Sequence, residues 1–135
     1  MENGFNKRKK EKHCFDPKTG IMIPGNTDDA LEIPVLTFHR IVSDKVKQTN
    51  YPDDQWVASV EDFNEQMEYL YEQDYKTLSM DEYYSWYKGK RTVKKKSIVL
   101  TFDDGDYEFY YRVAPILKKY GFKATAFVVE SRIKP

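Results

Sequence analysis

The chain has 135 residues, 40% of them hydrophobic and 33% charged, which is enough for one domain with a modest core. Its 22 basic and 22 acidic side chains balance, so nothing in the net charge indicates nucleic acid or an acidic membrane as the main partner. A single cysteine excludes an internal disulfide, and no apolar run approaches the ~20 residues of a membrane-spanning helix.

The first 30 residues predict a flexible polar leader. They are rich in Gly, Pro, Asn, Asp and Lys and show no sustained hydrophobic periodicity, and the basic run at residues 7–12 cannot form a buried face. No apolar segment follows the basic start, so the sequence shows no signal peptide. The folded part is therefore expected at residues 31–135.

The first strand is predicted at residues 33–40, IPVLTFHR, because Ile, Val, Thr and Phe favour strands, and it ends near His39. A polar loop is predicted over residues 41–56. Ser59 then opens a helix, since a carboxylate three residues after a hydroxyl is close to a capping box. Four side chains recur at helical spacing and predict its buried face: Phe63, Met67, Leu70 and Tyr71.

A second strand is predicted at residues 75–79. Ser79 and Glu82 then form a capping box that begins a short helix, and Gly89 can end that helix. The third strand, SIVLTF at residues 97–102, is the most apolar segment of the chain.

A third helix follows, in which Pro115 either kinks the helix or marks a later start, and Gly121 suits its end. The fourth strand is predicted at residues 123–130. Strands that alternate with helices favour parallel pairing, and the apolar runs at 97–102 and 123–130 indicate strands covered on both faces. The predicted fold class is α/β.

Two adjacent carboxylates, Asp103 and Asp104, follow the third strand, and His39 follows the first. The carboxyl ends of parallel strands share one rim, so these side chains are expected close together. Neighbouring side chains leave a strand in different directions. One Asp could bind a divalent cation while the other accepts a proton from water. A simple polar turn at Asp103–Gly105 and a structural role for His39 remain open.

Three segments carry a family resemblance. SIVLTFDDGDYEFYYRVAPILKKYGFKATAFVV, residues 97–129, resembles the opening motif of polysaccharide deacetylases, the NodB-like domains of carbohydrate esterase family 4. IPVLTFHRI, residues 33–41, resembles the histidine-bearing first strand of the branch that deacetylates poly-N-acetylglucosamine-like polymers. FNEQMEYLYEQDYKTLSMDEYYSWYKGK, residues 63–90, resembles the segment between these motifs.

The resemblance implies a distorted (β/α) barrel and a metal-dependent hydrolase that removes N-acetyl groups from an amino-sugar polysaccharide, acting on a non-peptide carbon–nitrogen bond. By position, Asp103 matches the general base, Asp104 the carboxylate ligand of a divalent metal, most often zinc, and His39 the active-site histidine of the branch. It also implies an N-acetylated polysaccharide or oligosaccharide as substrate, a role in carbohydrate metabolism at the cell wall, and an extracellular or cell-surface location.

The histidine content departs from the family pattern. The family completes its metal site with two histidines on a later motif, whereas the chain has only His13 and His39, and neither matches that motif. The expectation is therefore an incomplete N-terminal part of the domain, inactive alone, with a C-terminal half as the partner that supplies the missing barrel strands.

Two other functions remain open. The chain could be a non-catalytic carbohydrate-binding remnant, for which its 16% aromatic content would suit stacking on sugar rings. It could also be a haloacid-dehalogenase-like phosphatase that uses magnesium, in which Asp104 attacks phosphorus and Asp106 acts as acid and base.

Overall fold

The computed structural model describes residues 14–15, 22–23 and 28–132, and the side chains of residues 28–131. Most of the predicted leader at 1–30, with its basic run and His13, lies outside the described residues. The described strands are β1 (Cys14–Phe15), β2 (Met22–Ile23), β3 (Val35–Phe38), β4 (Arg40–Val42), β5 (Val57–Ser59), β6 (Lys76–Leu78), β7 (Ser97–Phe102) and β8 (Thr125–Ala126). The described α-helices are α1 (Asp44–Asn50), α2 (Val60–Glu72), α3 (Met80–Tyr87) and α4 (Ala114–Tyr120).

A parallel sheet forms the centre of the fold. β7 pairs in parallel with β3, β6 and β8, and all six of its residues are buried. Ile98, Leu100 and Phe102 belong to one core cluster, which includes side chains of α2 and α4, and Val99 belongs to a second cluster beside α3. The sheet is therefore covered on both faces, and the predicted α/β class with parallel strands alternating with helices is confirmed.

The predicted loop at residues 41–56 contains regular structure. β4 includes the first two residues of the predicted loop and pairs in parallel with β5, and α1 lies between the two strands in the chain. Ile41 and Val57 are buried, which explains why these short segments form strands. The helix was missed because α1, which the structure describes in full, buries none of its side chains and so gives no apolar periodicity.

Helix α2 follows its sequence pattern with one exception. The N–H of Asp62 donates to the Ser59 hydroxyl at 3.0 Å, as predicted for the cap. Three of the four predicted core side chains are buried: Phe63, Met67 and Leu70. The prediction for Tyr71 is wrong, because its side chain is 59% exposed and its ring lies against Tyr120 at the edge of the core.

The chain around Pro115 resolves the open alternative in favour of a later helix start. Pro115 lies in the first turn of α4, and residues Phe109–Val113 before it form a π-helix. Proline cannot donate to an upstream carbonyl, so an uninterrupted α-helical ladder is not available there. Gly121 ends α4 in the left-handed region at φ 68°, as predicted.

The predicted fourth strand is shorter than expected. Only Thr125–Ala126 pairs with β7, and Glu130–Arg132 form a 3₁₀ turn. The side chains of Phe127, Val128 and Val129 are 50%, 54% and 38% exposed, so this run is not covered on both faces. Among the described residues, no helix has the length and apolar character to cross a membrane.

The capping box of α3 predicts a measurable pH dependence of stability. The Glu82 carboxylate accepts the Ser79 N–H at 2.8 Å and the Lys123 ammonium at 2.9 Å, and these bonds lower the pKa of Glu82 from 4.5 to about 2. A depressed pKa in the folded state stabilises the fold above the unfolded pKa, and this contribution is lost as the pH falls towards the folded value. Glu82→Gln should therefore cost about 1 kcal/mol of unfolding free energy near pH 7 and almost nothing near pH 2.

Urea denaturation at both pH values measures the difference. Glu65→Gln is the control, because Glu65 is an exposed carboxylate on α2. The same pH dependence in the two variants would contradict the role of the Glu82 box.

Candidate active site

Two parallel strands end side by side at the candidate site. Phe38 of β3 is in register with Phe102 of β7, and the Asp103 N–H donates to the Phe38 carbonyl at 2.9 Å. His39 directly follows Phe38 and Asp104 lies two residues after Phe102, so both side chains lie at one rim of the sheet, with His39 Nδ1 3.9 Å from Asp104 Oδ2. The structure brings the predicted site residues together, as the parallel-strand argument expected, while their chemical roles stay predictions.

The turn after β7 has an unusual backbone. Asp104 and Gly105 both lie in the left-handed region, at φ 73° and φ 63°. Asp tolerates this region better than most residues, and glycine does so without steric cost. A Cβ at Gly105 would lie 2.8 Å from Cγ1 of Val128. The turn therefore needs glycine for its backbone angles and for close packing against the segment after β8.

Gly105→Ala should destabilise the fold by more than Gly121→Ala. Gly121 has a similar φ of 68°, but a Cβ there meets no described heavy atom within 4 Å. The Gly121 variant therefore reports backbone strain, about 1 kcal/mol, and the Gly105 variant adds the clash with Val128, roughly 1 kcal/mol or more. Urea denaturation of both variants gives the difference, and equal losses would show that the turn does not pack as described.

An ion pair fixes the turn to the strand beside it. Arg40 Nε donates to Asp106 Oδ2 at 2.9 Å, and Arg40 Nη1 donates to the Tyr51 hydroxyl at 3.1 Å. The hydrogen bond to Asp106 raises the pKa of the Arg40 guanidinium above its ordinary value. Arg40 directly follows His39, so this contact holds the histidine segment against the acidic turn. No sequence pattern indicates a site role for Arg40, and Asp106 was predicted to act only in the phosphatase alternative.

The two adjacent acids line different cavities. Asp103 lines an apolar cavity of about 200 Å³ together with side chains such as Phe102 and Val113. Asp104 lines a second, more open concavity of about 430 Å³. His39 lines both. One carboxylate thus lines a cavity whose walls are largely apolar and the other lines a larger, more open concavity with more polar groups, so the two can perform different chemistry.

The side chains at the site are of the types that bind a metal ion, but they are too few to complete a metal site. Asp104 and His39 offer a carboxylate and an imidazole, both of which are zinc ligands. Catalytic zinc sites usually have three protein ligands. Within residues 28–131, whose side chains are described, no group of three or more His, Cys, Asp or Glu side chains could hold a metal ion.

Comparisons with known proteins agree with one another. A family model described as polysaccharide deacetylase matches residues 90–135. The poly-beta-1,6-N-acetyl-D-glucosamine N-deacetylase of Staphylococcus epidermidis is 31% identical over 100 residues, which are 74% of this chain and 32% of that protein. The chain spans about a third of the curated relatives it matches, 35% and 32% of the first two.

Two solved structures are similar in fold and sequence. The Streptococcus pyogenes deacetylase PplD, in complex with acetate, has a TM-score of 0.64 and 33% identity, and the match covers 72% of this chain and 42% of that one. A de-N-acetylase from Aggregatibacter actinomycetemcomitans has a TM-score of 0.63 and 28% identity, over 73% of this chain and 38% of that one. These likenesses agree with part of a NodB-like barrel. The chain belongs to the polysaccharide deacetylase family and contains part of its domain.

Proposed function

We propose that the chain is the part of a metal-dependent polysaccharide N-deacetylase that carries its two catalytic-site acids and its active-site histidine. The substrate is an N-acetylated amino-sugar polymer of the kind that the Staphylococcus relative is named for. The observation that carries the proposal is the separation of Asp103 and Asp104 into two cavities that meet at His39. A polymer of this kind places the protein at the cell surface.

Each acid has its own role in the proposed reaction. Asp103 accepts a proton from the water that attacks the acetamide carbonyl, and its apolar surroundings keep other water away from the reacting atoms. Asp104 would provide a carboxylate ligand for a divalent metal, zinc in this proposal, and the metal would supply a Lewis acid for the carbonyl. His39 lies between the two cavities and can orient the acetamide or assist the transfer of a proton.

We further propose that a C-terminal half completes the site and that this part alone is inactive. The donor count at Asp104 and His39 supports this, because the missing ligands must come from residues other than those described. Apolar side chains at the edges of the sheet also favour a covering partner: Val35 is 45% exposed, Phe127 50% and Val128 54%. Within the domain, residues 31–135 would form this N-terminal part after a leader at 1–30.

Acetate release tests the proposed function. The chain is incubated with an N-acetylglucosamine polymer and Zn²⁺, alone and together with a C-terminal fragment of the Staphylococcus epidermidis relative. We expect acetate from the mixture and none from either part alone. Acetate from the fragment alone at the same rate, or none from a mixture shown to associate, would contradict the proposal.

A carbohydrate-binding protein without catalysis is the second candidate. The small number of metal donors among the described side chains favours a non-catalytic function when the chain is alone. Saturable sugar binding with no acetate release from any mixture would support this function. Phosphate release from an aryl phosphate with Mg²⁺ would instead support the phosphatase alternative, in which Asp104 and Asp106 react. The Asp106 carboxylate is bonded to Arg40, which weighs against that role.

A further inference from the structure

An exposed tryptophan lies next to the candidate catalytic histidine. The Trp56 side chain is 61% exposed, although an indole ring is among the most apolar side chains. The edge of one ring meets the face of the other, with the Trp56 and His39 centroids 4.9 Å apart and an angle of 81° between the planes. The indole is thus fixed on one side by the site itself and is open on the other.

The backbone of the loop holds Trp56 in this place. Its N–H donates to Asp54 Oδ1 at 2.9 Å, and its carbonyl accepts the Arg40 N–H at 3.3 Å. The Lys47 ammonium donates to the carbonyls of Tyr51 and Asp54 at 2.6 and 2.7 Å, which ties the loop to α1. These four hydrogen bonds therefore fix the loop backbone that carries the exposed ring.

The surroundings of the ring match the chemistry of a sugar. Trp56 lines the open concavity of about 430 Å³, which is large enough for a small ligand. Around it lie acceptors and donors suited to hydroxyl and amide groups: Asp54, Asp104, Asp106, Arg40 and Tyr51. A flat apolar face inside a ring of hydrogen-bonding groups fits a pyranose, which has apolar C–H faces and a polar rim.

We propose that Trp56 is the platform on which a sugar ring of the substrate stacks while its acetamide lies at Asp104 and His39. This inference rests on the proposed function and adds a binding residue to it. The edge contact with His39 fixes the distance between the platform and the reacting group. Trp56 thereby selects pyranose rings whose apolar face can lie flat beside the acidic turn.

Tryptophan fluorescence tests the location of the sugar. The chain has two tryptophans, and Trp86→Phe leaves Trp56 as the only one. Trp86 packs against the core cluster beside α3 and donates to the Ala30 carbonyl at 3.3 Å. Titration of the Trp86→Phe variant with a tetramer of N-acetylglucosamine should shift the Trp56 emission to shorter wavelength in a saturable way. An unchanged emission spectrum at sugar concentrations that saturate the protein in calorimetry would overturn the inference.

Calorimetry with variants at position 56 separates stacking from a structural role. Trp56→Leu keeps an apolar side chain against His39 but removes the flat ring, and Trp56→Phe keeps a ring. We expect the tetramer to bind at least about tenfold more weakly to Trp56→Leu and within about threefold of wild type to Trp56→Phe. Tyr84→Ala is the control, since Tyr84 is 56% exposed on α3, and it should bind as wild type does.

Equal affinity of wild type and Trp56→Leu, or no binding of the tetramer by wild type, would overturn the inference. Unfolding midpoints in urea that match wild type show that each variant is folded. Failure of the proposed function gives a different result. Sugar binding that depends on Trp56, with no acetate release from any mixture, would support the stacking role of Trp56 and contradict the proposed catalysis. Acetate release from the mixture that is unchanged by Trp56→Leu would support the proposed catalysis and contradict the role of Trp56 as a platform.

Discussion

Replacing Asp103 with asparagine is expected to lower acetate release by at least about 100-fold, because a general base contributes roughly 10²–10⁴ in rate. Asparagine has the same shape but cannot take a proton from water. The backbone contact from the Asp103 N–H to the Phe38 carbonyl is kept, so the turn should hold its place. The assay measures acetate from an N-acetylglucosamine polymer with the C-terminal fragment and Zn²⁺ present.

Asp53→Asn is the matched control for this experiment. Asp53 is an exposed carboxylate on the loop between α1 and β5, so its neutralisation should leave the rate within about twofold of wild type. Both variants should unfold at the wild-type urea midpoint. Equal acetate release by Asp103→Asn and wild type would remove Asp103 from the role of base.

Replacing Phe63 with alanine is expected to cost about 3–5 kcal/mol of unfolding free energy, a large part of the roughly 5–15 kcal/mol of an ordinary domain. The Phe63 side chain is 0% exposed. Its ring makes edge contacts with Phe38 at 5.1 Å and Phe102 at 5.8 Å, so alanine leaves a cavity where three rings meet. These two partners directly precede His39 and Asp103, and the same cavity should therefore loosen the rim of the site.

Urea denaturation followed by circular dichroism measures the loss. Tyr69→Ala on the same helix is the control, because Tyr69 is 60% exposed and its removal should change stability by about 0.5 kcal/mol or less. If the two variants lose the same free energy, the core does not lie on the face of α2 that carries Phe63.

Sequence patterns predicted the elements that bury a clear apolar face. β7 was predicted with its observed bounds because all six residues are apolar or small and are covered on both sides. The rim at His39 and Asp104 was also predicted, since the side of a sheet on which parallel strands end follows from their direction alone. Tyr71 was assigned to the core because helical spacing cannot tell the centre of a buried face from its margin.

The parts that were missed depend on individual side-chain hydrogen bonds, some local and some between distant segments. The loop from α1 to β5 follows a path set by hydrogen bonds from Lys47 to main-chain carbonyls, and no sequence period reports such bonds. The pairing of Arg40 with Asp106 joins residues that are 66 positions apart. Trp56 reaches the site only because of that loop path, so its position beside His39 could not be predicted from its place in the sequence.

The most direct test of the different roles of the two acids is a calorimetric titration with Zn²⁺ of the chain mixed with the C-terminal fragment, comparing wild type with Asp104→Asn and Asp103→Asn. We expect measurable binding by wild type, at least about tenfold weaker binding by Asp104→Asn, and binding by Asp103→Asn within about threefold of wild type. No binding by wild type, or an equal loss in the two variants, would contradict the assignment of one acid to the metal and its neighbour to the water.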